Sequence, residues 1–199
     1  EHARTPLFVW DPRSRVAGQR RASLTQTIDL APTLLEFFGL EPTADMQGKS
    51  LRQTVADDTP VRQAALFGIH GAHVNVTDGR YVYMRAPATR QNEPLFNYTH
   101  MPCHMRHIFS VEEMRNIELA EPFTFTKGCR TMKIPANGLW ENADTRTYRN
   151  WLWDTRTDPR QENPLDDAKI ERRMIDLLVS LMKDNDAPAE QFERLGLKA

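Results

Sequence analysis

The chain has 199 residues, with 26 Lys and Arg against 27 Asp and Glu, for a formal net charge of −1. That balance argues against a dedicated nucleic-acid binder, and 40% hydrophobic residues are too many for a disordered chain. No apolar run approaches the roughly 18–20 residues that a bilayer span requires, and two cysteines are too few for a disulfide scaffold.

The first residues carry no initiating Met and no charged-then-apolar leader, and Pro6-Leu7-Phe8-Val9-Trp10 is already an apolar run. We therefore expect a fragment of a longer protein that begins in mid-element. Residues 6–10 read as a short strand, stopped by Asp11-Pro12. Residues 27–39 read as a helix with Asp29 as its cap and Gly39 as its end. Ala31, Leu34, Leu35 and Phe38 recur at spacings of three and four, which predicts one buried face. From residue 41 to 63 the composition is polar and predicts a connector.

Leu66-Phe67-Gly68-Ile69 and Val74-Asn75-Val76-Thr77 read as strands. Asp78-Gly79 predicts a two-residue hairpin turn into the return strand of residues 80–85. Residues 86–147 show little periodicity and are interrupted by prolines, which predicts a long irregular segment wrapped over a partner surface. Trp151-Leu152-Trp153 reads as another strand. The last helix is expected over residues 164–183, with Asn163 as cap and Pro164 in its first turn. Ile170, Met174, Leu177 and Leu181 make its apolar stripe, widened by Leu178 and Met182. The hairpin, the Trp-rich strand and this helix need one another's faces and should form one α+β unit.

Five of the six histidines fall between residues 70 and 107. The run His100-Met-Pro-Cys103-His104-Met-Arg106-His107 admits three readings: zinc ligands, polar residues lining a loop, or groups facing an anionic substrate. For zinc the ligands are crowded and Pro102 restrains the backbone between them. Cys103 has His104 beside it but no evident orienting acid, and Cys129 within Lys127-Gly-Cys-Arg130 sits in an electropositive stretch that could support a thiolate; both read as ordinary packing or surface cysteines. There is no Gly-rich phosphate loop and no Gly-x-Ser-x-Gly elbow. The acidic pairs Asp57-Asp58, Asp166-Asp167 and Asp184/Asp186 read as solvated faces and caps. Residue chemistry alone yields no complete active site.

Several segments, in order, resemble the C-terminal part of a formylglycine-dependent sulfatase of the alkaline phosphatase superfamily. Pro6-Leu-Phe-Val-Trp-Asp-Pro12 resembles the strand that follows the family's metal-binding region. Thr27-Ile-Asp-Leu-Ala-Pro-Thr-Leu-Leu-Glu-Phe-Phe-Gly-Leu40 is similar to the family's Asp-x-x-Pro-Thr-Leu-Leu helix, and Gly48-Lys-Ser-Leu51 to the Gly-x-Ser-Leu that comes next. Asp78-Gly-Arg-Tyr-Val-Tyr83 resembles its C-terminal hairpin. Leu152-Trp-Asp-Thr-Arg-Thr-Asp-Pro-Arg-Gln-Glu-Asn163 resembles the Asp-Pro-x-x-Glu-x-x-Asn stretch before its last helix.

The resemblance implies a fold: residues 1–51 as the C-terminal edge of an alkaline-phosphatase-like α/β sheet, 52–63 as a connector, and 64–199 as an α+β subdomain. That subdomain would hold a small antiparallel sheet and a C-terminal helix. It also implies that the longer protein is a sulfuric ester hydrolase using calcium and formylglycine. The formylglycine motif Cys/Ser-x-Pro-x-Arg is absent, since Cys103 and Cys129 both lack the Pro at +2. The family's calcium ligands would lie upstream, so neither a catalytic residue nor a metal ligand is assigned here, and the chain alone is expected to be inactive and to bind no metal. Loops of this subdomain shape the leaving-group side of the pocket in the family, which makes His70, His104 and Arg106 candidate substrate-binding residues. The expected partners are the missing N-terminal catalytic portion and an anionic sulfated small molecule or glycan, with neither nucleic acid nor membrane. A phosphonate monoester or phosphodiester hydrolase of the same superfamily, or a non-catalytic binding module, remain as alternatives. The chain reads as soluble, either cytoplasmic or periplasmic.

Overall fold

The computed structural model describes residues 5–104, 107–136 and 148–198. Its centre is a four-stranded antiparallel sheet of order β1-β2-β3-β7. The strands are β1 Ala65–Gly68, β2 Val74–Thr77, β3 Tyr81–Arg85 and β7 Trp151–Asp154. Register aligns Leu66, Val76, Tyr83 and Leu152 across one rung, so all four point to the same face. That face is covered by the long helix of residues 168–184, and Met174, Leu178 and Met182 at four-residue spacing form its buried stripe. Val76, Tyr83, Met174 and Leu178 are fully buried. The expected α+β unit is therefore present.

Two local expectations for this unit need correction. The last helix starts at Ala168 rather than at residue 164, because Asp167 supplies the cap that Asn163 was expected to supply. The Asp167 carboxylate accepts from the backbone N–H of Lys169 and Ile170, each at 3.0 Å. The hairpin turn is also shifted by one residue, since Thr77 pairs with Val82 and Asp78 N donates to Tyr81 O at 3.3 Å, which puts residues 79–80 rather than 78–79 at the tip. Asp78 rather than Gly79 alone shapes it: its Oδ1 accepts from Arg80 N at 2.9 Å and Tyr81 N at 2.7 Å.

The segment expected to be irregular contains a second sheet. Strands β4 Phe96–Thr99, β5 Glu118–Ala120 and β6 Thr131–Pro135 pair antiparallel in the order β4-β6-β5. These strands are three to five residues long with weak alternation, too little periodicity to be read from sequence. The sheet is tied to a short C-terminal helix at Ala189–Arg194, also unanticipated: Glu190 there pairs with Lys133 at 2.9 Å and accepts from the Tyr98 hydroxyl. Residues 105–106 and 137–147 of the same stretch lie outside the described residues.

Before β1 the chain holds two helices, α1 Leu30–Phe37 and α2 Arg52–Asp57, the second inside what reads as a connector. In chain order the helix of residues 168–184 is α3 and that of residues 189–194 is α4. Asp29 does not cap α1 through its side chain. It is fully buried and forms a two-pronged ion pair with Arg62, while also accepting from Lys49 N at 2.9 Å and Gln26 N at 2.8 Å. Burial alone would raise its pKa; the Arg62 guanidinium and the two N–H donors overcome that and hold it below the ordinary aspartate value. Thr33 extends the knot, accepting from Leu51 N at 2.9 Å. Gly48 lets the two segments meet: a Cβ there would lie 2.0 Å from Ile28 O. Gly48→Ala should therefore cost about 1–3 kcal/mol, read as a lower thermal midpoint, because backbone must shift to admit the methyl.

The expected strand over residues 6–10 is not formed, and among the described residues no strand pairs with it. Phe8 is 93% and Trp10 80% exposed. The face of α1 expected to be buried is open too, with Leu34 58% and Phe38 71% exposed among the described residues.

Candidate functional site

The first candidate position lies on the connection between β1 and β2, residues 69–73. His70 is exposed, and its Nε2 donates to Phe96 O on β4 at 3.1 Å, linking the two sheets. His73 is buried and donates from Nε2 to Arg149 O at 3.0 Å; burial pushes its pKa down. The turn is held from beneath by two residues that sequence reasoning did not single out. Asn92 donates from Nδ2 to Gly71 O at 2.6 Å, and Arg194 on α4 donates from Nη1 to Ala72 O at 3.2 Å and to Asn92 Oδ1 at 2.7 Å. Neither carries a sequence signal, because Asn92 sits in a loop and Arg194 in a polar run, Ala189-Glu-Gln-Phe-Glu-Arg194.

The second candidate position is the loop that follows β4. His104 Nε2 meets Glu113 Oε1 at 2.6 Å, and its ring lies 4.3 Å from the Phe109 ring. Glu113 Oε2 accepts from Ser110 N at 2.7 Å and from the Ser110 hydroxyl at 2.9 Å. The Ser110 N–H, then His104, then the Ser110 hydroxyl bring the Glu113 pKa down to about 2. His104 is thus engaged with its own loop, and among the described residues no hydrogen bond or ion pair joins it to His70. Arg106 lies outside the described residues. Cys103 and Cys129 are free thiols; the Cys103 backbone bridges to Ile108.

Two hollows flank the β1–β2 connection. One, of about 280 Å³, is lined by His70, Gly71, His73, Leu95, Gln191 and Arg194. The other, of about 480 Å³, lies on the sheet face opposite α3, where Phe67, Asn75, Thr77, Val82 and Met84 point, with Leu24 closing one side. Among the described residues no three His, Cys, Asp or Glu side chains converge as a metal ion would require. Among them, too, no helix is long and apolar enough to cross a membrane.

A sequence-family model described as N-sulphoglucosamine sulphohydrolase, C-terminal, matches residues 1–122, more than half of the chain. The chain belongs to the N-sulphoglucosamine sulphohydrolase C-terminal family. The sulphohydrolase match takes in the Asp29–Arg62 knot, strands β1 to β5, and all three candidate residues His70, His104 and Arg106. Strands β6 and β7 and helices α3 and α4 lie beyond its last residue. Over 71 residues the chain is 35% identical to an N-acetylglucosamine-6-O-sulfatase of Bacteroides thetaiotaomicron, a stretch that is 34% of this chain and 13% of that protein. It is also similar to the solved structure of a protein in complex with its substrate D-glucosamine-2-N,6-O-disulfate. There the TM-score is 0.45 at 17% identity, covering 81% of this chain and 24% of the other. The chain spans less than a quarter of either relative.

Proposed function

We propose that this sulphohydrolase-family chain is the C-terminal portion of a sulfatase that hydrolyses sulfate esters of an anionic small molecule or glycan. The family match over residues 1–122 carries the reading. The relative named as an N-acetylglucosamine-6-O-sulfatase favours sulfated amino sugars as the substrate class. In this proposal residues 1–51 form the edge of an alkaline-phosphatase-like sheet, 52–63 connect, and 64–199 form the C-terminal subdomain. The exposure of Phe8, Trp10, Leu34 and Phe38 supports it, because a catalytic N-terminal portion packed on them would remove them from water. Each such side chain contributes roughly 1.5–3 kcal/mol when fully covered.

Calcium and formylglycine find no ligand set or precursor motif among the described residues, so both belong to the N-terminal portion in this proposal, and no step is derived through them. What this chain contributes is the wall that faces the leaving group. His70, His104 and Arg106 are the residues we assign to the substrate, cations and donors suited to a sulfate or an acidic saccharide.

The test compares the 199-residue chain with the longer protein that carries it, using sulfate monoesters beside phosphonate monoesters and phosphodiesters. The chain alone should turn over nothing, and the longer protein should prefer the sulfate ester. Hydrolysis by the chain alone, or a preference for phosphonate or phosphodiester, sinks the reading. In the longer protein, His104→Ala and Arg106→Ala should each lower kcat/KM by about tenfold, equivalent to about 1.4 kcal/mol. The thermal midpoint should barely move. Unchanged kinetics with a lowered midpoint would make the loop purely structural.

A further inference from the structure

Arg194 is 2% exposed, yet among the described residues it makes no ion pair. Its guanidinium meets only neutral oxygens: Gln191 Oε1 at 3.0 Å, Asn92 Oδ1 at 2.7 Å, and Ala72 O at 3.2 and 3.3 Å. Nη2 has only the longest of these bonds. The two carboxylates on α4 do not neutralise it, because Glu190 is engaged by Lys133 and Tyr98, and Glu193 is exposed and makes no ion pair with Arg194 among the described residues. A buried cation without a counter-charge is costly, and burial brings the Arg194 pKa down to about 10. Neutral dipoles hold the guanidinium in place while leaving its positive charge uncompensated.

That charge lines the hollow of about 280 Å³ beside the β1–β2 connection, together with His70 and His73. The lining therefore holds a guanidinium and two imidazoles and no carboxylate. His73 donates its Nε2–H to Arg149 O, and burial favours its neutral form, so it adds no charge to the lining; His70 donates its Nε2–H to Phe96 O, and its Nδ1 can donate to an oxyanion in the imidazolium form. An uncompensated guanidinium in a cleft without a carboxylate draws an anion, and its planar fork suits an oxyanion. We infer that the hollow between Arg194 and His70 is a subsite for a sulfate or carboxylate group of an acidic ligand. The sulfated ligand rests on the proposed sulfatase reading; the oxyanion chemistry rests on the hollow itself. Arg194 also sets the turn that carries His70, so the same bonds that bury the charge aim the exposed imidazole.

The test is NMR on the full 199-residue chain, following the His70 imidazole and the Arg194 Nε–H signals. Inorganic sulfate and an O-sulfated monosaccharide are titrated separately, against sodium chloride at matched ionic strength. Saturable shifts with both probes, and none with chloride, are expected for an oxyanion site; tighter binding of the saccharide would identify a ligand group, equal binding a free-ion site. His70→Ala should weaken binding at least threefold, and Arg194→Lys, which keeps the charge and loses the fork, at least fivefold. Arg194→Met should abolish it; should that variant not fold, the other two carry the test. Linear shifts shared with chloride, or affinities in His70→Ala and Arg194→Lys unchanged from the parent chain, overturn the inference. Saturable sulfate binding by a chain whose longer form hydrolyses no sulfate ester would retain the subsite and sink the sulfatase reading. An active sulfatase without saturable binding here would do the reverse.

Discussion

Arg62→Met should destabilise the chain by about 3 kcal/mol at neutral pH, the lower end of what breaking a buried pair costs. The reason is geometric. The Asp29 side chain is 0% exposed and the Arg62 side chain 11%, so Met fills the stem's space and leaves a buried carboxylate without its cation. The N–H donors of Lys49 and Gln26 remain, which keeps the loss from being larger. Urea unfolding should show a lower midpoint with an unchanged slope. The pH dependence follows from the sign of the shift. In the parent chain the Asp29 pKa is depressed, so its stabilisation is complete above the ordinary aspartate value of 3.8 and is lost as pH falls below it. Without Arg62, burial dominates and raises the Asp29 pKa, so acidification from neutral should hurt the variant far less than the parent. A second change, Asp29→Leu in the Arg62→Met background, removes the stranded charge and should recover part of the loss. A shift under 0.5 kcal/mol in Arg62→Met would show that the knot contributes nothing net.

Leu178→Ala should cost about 3 kcal/mol as well, within the range for emptying a buried leucine site. Leu178 is fully buried at the centre of the cluster formed by Val76, Tyr83, Leu152, Met174 and Met182. The sheet behind it cannot collapse into the vacancy, because its register is fixed by three antiparallel pairings. Arg172→Ala is the matched control: its side chain is 77% exposed and pairs with Asp176 at 3.3 Å, an exposed contact that contributes about 0.3–0.5 kcal/mol. Equal losses in the two variants would mean that α3 is not the support of this sheet.

The two results bear on different halves of the proposed enzyme. Arg62 and Asp29 brace the segment that leads from the exposed apolar residues of 7–40 into the subdomain, whereas Leu178 holds the sheet that carries the β1–β2 turn. In the proposed longer protein, an Arg62→Met change should therefore show first as loosened packing between its portions. Leu178→Ala should show first as a poorly placed His70.

Much of this fold was legible in the amino-acid order because its signals are local. Val74–Thr77 alternates at period two and was read with its true limits, whereas the stripe expected through Ile170, Met174, Leu177 and Leu181 is only half-buried apart from Met174, and the residues that only widened it, Leu178 and Met182, are the buried ones. The ordered motifs around Thr27–Leu40 and Leu152–Asn163 point to a C-terminal sulfatase segment, and the family match over residues 1–122 agrees. The sheet of β4, β5 and β6 escaped notice because its strands are too short to show a period.

The site was legible in part only. The sequence by itself determined the hydrophobic pattern of the α+β unit, the family, and the clustering of histidines on two loops. Tertiary structure alone decided what each of these histidines meets. His104 is taken up by Glu113 nine residues on and His73 by Arg149 O, whereas His70 bonds Phe96 O at the edge of a hollow lined by Arg194. It also turned Asp29 from an expected cap into the partner of Arg62, a residue 33 positions away. Burial, charge pairing and unpaired charge are properties of neighbours in space, and chain order does not encode which distant residue will arrive to satisfy a carboxylate or leave a guanidinium uncompensated.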